Sequence, residues 1–327
     1  MEEGRLSQVK KAILVTGANG FVGRAVCMQA VPLGMEVRGV QRGGTVSTCP
    51  VQVVQIDELD GATQYAQALA GCDAIVHCAA RVHVMTDRGI DSLAEYRRVN
   101  VEGTLNLANQ AVAAHVRRFI FISSIKVNGE STPRGQPFSI SDVPAPQDAY
   151  GKSKFEAEQA LLVLAKQTGL EVVIIRPPLV YGPGVKANFA SMVRWVQGGL
   201  PLPLGAINNQ RSLVALGNLT DLIMTCLDHP AAKNRTFLVS DGQDVSTTEL
   251  LRLVAHAMHR PARLLPVPQS MLLLTLRLMG LSGLAQRLCA SLQVDIASTR
   301  QLLDWTPPLT LEQGLIQVVA SGREAEC

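Results

Sequence analysis

Tyr150 and Lys154 stand four residues apart in DAYGKSKFEAEQAL, a stretch with helical apolar spacing. Four residues is one helical turn, so the phenol and the ammonium share a face. A cation beside a phenol lowers its pKa toward neutrality. Such a tyrosine can exchange a proton with a sugar or alcohol oxygen as a general acid or base. Ser124 closes the apolar run FIFISS, and its hydroxyl can hydrogen-bond the same oxygen. A YxxxK spacing recurs by chance. It gains weight here from a serine at a strand end and from a glycine loop near the start of the chain.

That loop is AILVTGANGFVGRAV, with Gly17, Gly20 and Gly23 between an apolar run and a helical pattern. The glycines permit a tight turn, close approach of backbone to a pyrophosphate, and close helix–strand packing. The helix start offers free N–H groups and a positive dipole end to the phosphates. Asn19, Phe21 and Val22 complete this expected cofactor-binding segment. An acidic residue for a ribose 2′-hydroxyl is expected roughly 20 residues on. Gln41 and Arg42 stand there instead. A guanidinium pairs well with a phosphate, so NADP(H) is favoured over NAD(H); the other reading is a solvated arginine stacking on adenine. Asp57 and Glu58 close the third strand, where Asp57 can accept from the adenine amino group or cap a helix. Ala79 and Ala80 end the fourth strand, where small residues let a cofactor lie against the backbone. His77 reads as a core histidine, and His83 lies near enough to the strand end to reach substrate.

These residues need a scaffold. Short apolar runs at Ala12–Thr16, Glu36–Val40, Val51–Ile56, Ala74–Cys78, Phe119–Ser123 and Glu171–Arg176 alternate with helical patterns at Phe21–Leu33, Gly61–Leu69, Ser92–Ala114 and Ala149–Gln167. Continuous apolar strands alternating with helices predict an α/β fold, a Rossmann-like doubly wound parallel sheet. The Pro-, Gly- and Ser-rich stretch Asn128–Asp148 is too long for a routine connection and reads as functional. Beyond it the alternation weakens, predicting a smaller C-terminal substrate lobe. The expected division is 1–176 for the dinucleotide-binding domain and 177–327 for the lobe, with 218–240 returning to the first domain.

Composition sets the outer limits. With 47% hydrophobic and 17% charged residues over 327 positions, the chain is not disordered. A formal charge of +3 is far from the basic excess of a dedicated nucleic-acid binder. Seven cysteines without a CxxC pair or a Cys/His cluster argue against a disulfide framework and a zinc site. Without a secretory h-region at the N-terminus, a cytoplasmic location is expected. The Leu/Met-rich stretch Met271–Leu292 is interrupted by Arg277, Gly280, Gly283 and Arg287, so it lacks a transmembrane run. It reads as amphipathic helices packed on protein, with an in-plane membrane contact as the alternative.

Together GANGFVG, HCAA, YRRVNVEGTLNL, Ser124, YGKSK, RPPLVYGPG and DWTPPLTLEQGL resemble the extended short-chain dehydrogenase/reductases that act on nucleotide sugars. The resemblance runs over essentially the whole chain. It implies Ser124, Tyr150 and Lys154 as the catalytic triad and Lys154 as a ligand of the nicotinamide ribose. It also implies Asn100, Pro177 and Val180 around the cofactor. Arg211 in QRSLVAL matches an arginine that grips the nucleotide diphosphate, and Asn188 a polar residue near it. A surface arginine and a helix N-cap are the plainer readings of those two. The resemblance further implies a homodimer paired through the two long helices.

Departures from the family pattern narrow the chemistry. The acid–base pair with which sugar dehydratases follow the catalytic hydroxyl residue is Ile125 and Lys126 here, which argues against elimination of water. Leu179 stands where the family has asparagine. Lys126 either faces the sugar or a phosphate or points to solvent. SSIKVNGE and YGKSKFEAE are similar to bacterial reductases of UDP-4-keto-6-deoxy-N-acetylglucosamine. The resulting expectation is an NAD(P)H-dependent 4-ketoreductase of a UDP-linked sugar serving surface polysaccharide. The alternatives are an NAD-dependent UDP-hexose 4-epimerase and, from another class, a non-catalytic cofactor sensor.

Overall fold

The computed structural model describes residues 10–43, 51–82, 92–185 and 187–324. In chain order the first half has β1 (Ala12–Thr16), α1 (Phe21–Ala30), β2 (Glu36–Arg42), β3 (Gln52–Ile56), α2 (Ala66–Leu69), β4 (Ala74–His77), α3 (Ser92–Arg97), α4 (Gly103–Ala113), β5 (Arg118–Ile122), α5 (Ala149–Thr168) and β6 (Glu171–Arg176). The second has β7 (Leu179–Tyr181), α6 (Ala187–Gln197), β8 (Arg211–Ala215), α7 (Leu216–Asp228), β9 (Arg235–Leu238), β10 (Asp244–Val245), α8 (Thr247–Ala257), α9 (Gln269–Leu278), α10 (Ser282–Cys289), α11 (Ala297–Leu303) and α12 (Leu311–Glu324).

Seven strands form one sheet in the order β3-β2-β1-β4-β5-β6-β9. The pairs from β3 across to β5 are parallel, as the buried apolar runs predict. Thr16 is level with Val40 on one side and His77 on the other, so β1 and β4 end together while β2 runs two residues further, to Arg42. The strand order reverses at β1, where open α/β sheets bind ligands beyond the strand ends. A smaller mixed sheet has β8 parallel to β7 and antiparallel to β10.

The chain forms two compact units. The first comprises Met1–Ile122, Glu156–Ile174 and Cys226–Arg235; the second comprises Ser123–Phe155, Ile175–Thr225 and Thr236–Cys327. Each unit is assembled from three separate stretches of the chain. In the first unit, Leu14, Ile75 and Phe119 of the sheet pack on Leu107 of α4 and Leu161 of α5. The returning segment is held by Arg118, which is buried in β5. Its guanidinium donates to Glu171 at 2.6 Å and to the carbonyls of Cys226 at 2.8 Å and His229 at 3.0 Å. In the second unit, Tyr181, Leu213 and Leu251 share a core with Leu272 and Leu276 of α9 and Ala285 of α10.

Two helices differ from expectation for local reasons. Only Ala66–Leu69 of Gly61–Leu69 is helical. Asp60 accepts from the Ala62 and Thr63 amides, while Asn106 and Gln110 of α4 donate to the Thr63 carbonyl. These side chains take backbone groups that a helix would pair. Ser92–Ala114 is divided by a π-turn at Arg98–Glu102, a feature frequent at functional sites.

Candidate active site

The phosphate loop is shaped by missing side chains. Gly17 lies at φ +67°, and a Cβ there would stand 3.0 Å from the Ala79 nitrogen. Gly20 donates to the Gly17 carbonyl at 2.7 Å, and a Cβ on Gly23 would lie 2.2 Å from that same oxygen. Any side chain at Gly23 would therefore push α1 off β1. Gly20 caps α1 without a side-chain hydrogen bond, and the first turn of the helix holds no acid. Asn19 adds a buried Oδ1 with no hydrogen-bond partner. Uncapped N–H groups, a close-approach cradle and an orphaned polar atom fit a dinucleotide diphosphate.

The end of β4 is fixed by a relay of hydroxyls. The Ala79 amide donates to Thr16 Oγ1 at 3.2 Å, which lies 2.7 Å from His77 Nδ1. On the other side His77 Nε2 lies 2.9 Å from Thr104 Oγ1, which donates to the Asn100 carbonyl at 2.8 Å. Since Thr104 spends its proton on that carbonyl, its hydroxyl oxygen is left to accept from His77 Nε2. His77 is thus a core residue that aligns Ala79 and Ala80. The Asn100 carboxamide accepts from the Arg81 amide at 2.8 Å and donates to its carbonyl at 3.1 Å. Its direct work is to hold the chain after β4, and the π-turn aims it there. His83 lies outside the described residues.

At the end of β2, Gln41 is buried and Arg42, the last residue of the strand, is exposed. Asp57 follows β3 directly and is exposed; no helix begins there, so it caps none. Glu58 forms an ion pair with Arg98 of the π-turn, both side chains being solvent-exposed.

The turn that carries Ser124 belongs to the second unit. Ser124 is extended, at φ −156° and ψ 148°, and its Oγ accepts from the Lys126 amide at 3.2 Å. The Ile125 amide donates to the Pro177 carbonyl at 3.0 Å, which gives Pro177 a backbone role. Ile125 is buried beside Leu238 and Leu292. Tyr150 is half-buried and Lys154 fully buried in the first two turns of α5. Asp148 stands just ahead of that helix, and its Oδ1 accepts from the Gly151 amide at 2.7 Å, an N-terminal cap.

Lys126 joins these pieces. Its ammonium pairs with Asp148 Oδ2 and, at 3.3 Å, with Glu130. Burial opposes the lysine charge, but the hydrogen bond and charge of Asp148, aided by Glu130, outweigh it and raise its pKa. The lysine, which the sequence leaves open between substrate and solvent, is held by two carboxylates. Asp148 and Glu130 were not legible as site residues. The one signal was Asp148 immediately before a helical pattern, the mark of an N-cap.

Arg211 opens β8 half-buried, and burial lowers its pKa. Its Nη1 donates to the carbonyls of Arg287 at 3.0 Å and Ala290 at 3.2 Å, at the end of α10. Val180 is half-buried in β7, and Leu179 beside it is exposed. The Asn188 side chain lies outside the described residues. A further network went unseen in the sequence. The Tyr181 hydroxyl donates to Asp241 at 2.7 Å, and Asp241 also accepts from Asn218 and the Ala215 amide, each at 2.7 Å. It ties the end of β7 to the end of β8, Tyr181 and Ala215 being paired in register.

Comparison with known proteins agrees with this frame. Residues 13–240 match the NAD dependent epimerase/dehydratase family. The chain is 48% identical over 321 residues to a UDP-glucose 4-epimerase of Vibrio cholerae, covering 97% of each. Among solved structures, it is similar to a short-chain dehydrogenase/reductase superfamily protein of Agrobacterium tumefaciens with bound NAD, at TM-score 0.77 and 22% identity, covering 96% of this chain and 98% of that one. It is similar also to the UDP-glucose 4-epimerase of Thermotoga maritima with UDP-glucose, at TM-score 0.76 and 20% identity, covering 97% and 100%.

Proposed function

The chain belongs to the NAD-dependent epimerase/dehydratase family, and from that premise we propose that it interconverts the C4 epimers of a UDP-linked hexose. The observation that carries this reading is the 48% identity to the Vibrio cholerae 4-epimerase over nearly the full length of both chains. The epimerase alternative is thereby better supported than the ketoreductase put first on sequence motifs. Ile125 and Lys126 after Ser124, one apolar and one cationic, support a reaction without loss of water.

Gly17, Gly20, Gly23, Asn19 and the first amides of α1 would hold the dinucleotide diphosphate. When bound, the nicotinamide supplies a hydride acceptor and donor for C4. Tyr150 would hold the proton of the C4 hydroxyl on its phenol oxygen while C4 is a ketone and return it to the C4 oxygen afterwards. The Lys154 ammonium favours the phenolate that this base requires. Ser124 hydrogen-bonds the C4 oxygen and keeps it within reach of the phenol. The sugar must turn over between the two steps, so the lasting grip belongs on the nucleotide. Arg211 is the residue proposed for that grip, exchanging backbone carbonyls for phosphate oxygens. Pairing of two copies through α3–α4 and α5 is part of the same proposal, read by sedimentation equilibrium.

The test is purified protein with UDP-glucose or UDP-N-acetylglucosamine and no added reductant. A C4-epimerised product, followed by NMR, is the expected result. The second reading, a 4-ketoreductase, is favoured by Arg42 and by the lack of a carboxylate at the end of β2. It predicts no isomerisation, and NADPH consumption with UDP-4-keto-6-deoxy-N-acetylglucosamine with a two-mass-unit gain. That outcome would replace the epimerase by the reductase.

A further inference from the structure

Helices α9 and α10 form a hairpin whose two faces differ sharply. Leu272 and Leu276 turn inward to the core of the second unit. Met271, Leu274 and Leu278, spaced by three and four residues, share the opposite face, and Leu278 is 80% exposed. The turn extends that face. Leu281 donates to the Leu276 carbonyl at 2.8 Å and Gly280, at φ +71°, to the Arg277 carbonyl at 3.0 Å. This Schellman pair ends α9 with its last carbonyls satisfied and leaves Met279 and Leu281 exposed. Thr275 also lies on the exposed face, but its hydroxyl donates to the Met271 carbonyl at 2.9 Å. The patch thus presents chiefly methyl and methylene groups.

Its charge is one-sided. From Leu250 through Val294 the sequence holds five arginines and no aspartate or glutamate. Arg277 and Arg287 are exposed on the hairpin itself. A symmetric contact with a second copy would set these arginines against themselves, with no carboxylate from the segment to answer them. Neither helix is long enough to cross a bilayer. We propose that the α9–α10 hairpin docks in the plane of an anionic lipid bilayer. Leu274, Leu278 and Met279 enter the boundary between headgroups and acyl chains, while Arg277 and Arg287 reach back to lipid phosphates. An apolar stripe with arginines at its rim and no acid matches that surface in both polarity and sign.

The experiment is flotation of the full chain with vesicles of phosphatidylcholine alone or with added phosphatidylserine. Binding is expected to the anionic vesicles only, and to weaken with salt. Leu274→Glu with Leu278→Glu should lower the partition by about tenfold or more. Arg277→Gln should lower it by about fivefold. Both leucines are exposed, so circular dichroism should show the fold kept. A Leu278→Trp protein gives a second readout, because brominated acyl chains should quench its added fluorescence. Three results would each overturn the proposal: no binding to anionic vesicles at low salt, equal binding of the double variant, or a dimer that the double variant splits.

Discussion

At the Gly17–Gly23 loop the chain makes room by leaving side chains out; at the Ser124 turn it fixes position by putting charges in. Gly17, Gly20 and Gly23 bring backbone against backbone, and a Cβ at any of them would meet main-chain atoms at 3.0 Å or less. The Ser124 turn and the start of α5 are joined instead by the Lys126 ammonium between Asp148 and Glu130. The first device acts through atoms every residue has, over a span of seven positions. The second depends on three side chains separated by up to 22 positions. Loop and turn should therefore fail in different ways.

The largest expected effect removes the proton carrier. Tyr150→Phe should lower turnover by roughly 10²–10⁴-fold, the usual share of a general acid–base residue. Cofactor affinity, followed by protein fluorescence quenching, should stay within about twofold, because the loop is untouched. Turnover within tenfold of the parent would break the assignment of chemistry to the turn. Gly17→Ala is the converse change. A residue with a Cβ at φ +67° costs about 1–2 kcal/mol, and this Cβ also presses on Ala79. Cofactor affinity should fall about tenfold, with kcat recovered at saturating cofactor. A lower kcat with unchanged affinity would mean that the loop and the turn are not separable.

The same contrast explains what the sequence could show. The glycine spacing carried its own meaning, because backbone approach depends on local residues alone. The Tyr150–Lys154 spacing was legible for the same reason: one helical turn joins them. The sequence leaves Lys126 open between substrate and solvent, because its partners Asp148 and Glu130 arrive from a loop without periodicity. Asn100 was placed near the cofactor without the π-turn that points its amide at Arg81. The three residues of β7 and two of β10 are too few for a strand period to show. Arg118, a buried charge in an otherwise apolar strand, makes sense only once Glu171 and the Cys226 and His229 carbonyls surround it.

Lys126 sharpens the comparison at an intermediate level. As a positioning residue it should affect kcat, whereas a sugar or phosphate ligand would affect KM. The lysine is 39% exposed, so the pair is screened and its worth is discounted to about 1 kcal/mol. Lys126→Met should then lower kcat about fivefold while KM stays within about twofold. Lys126→Arg, which keeps the charge, should recover much of the loss. A KM raised tenfold with kcat kept would return Lys126 to the substrate.

The smallest effect separates the two regions by pH. Lys126 has a raised pKa in the folded protein, with burial opposing the charge and Asp148 and Glu130 prevailing. A base raised on folding contributes stability that is fully present below its unfolded pKa, about 10.4 for lysine. That contribution is lost as pH rises through the higher folded value. The stability gap between the parent and Lys126→Met should therefore be flat from about pH 6 to 9. It should close above the ordinary lysine range. The gap itself should be no more than about 1 kcal/mol, a shift on the order of 2 °C in Tm. Thermal melts across that range read it directly. The segment from Gly17 to Gly23 has no ionisable side chain, so Gly17→Ala should show a gap that does not close at high pH. If both variants closed their gaps together, the clamp at Lys126 would not be what distinguishes the Ser124 turn from the loop.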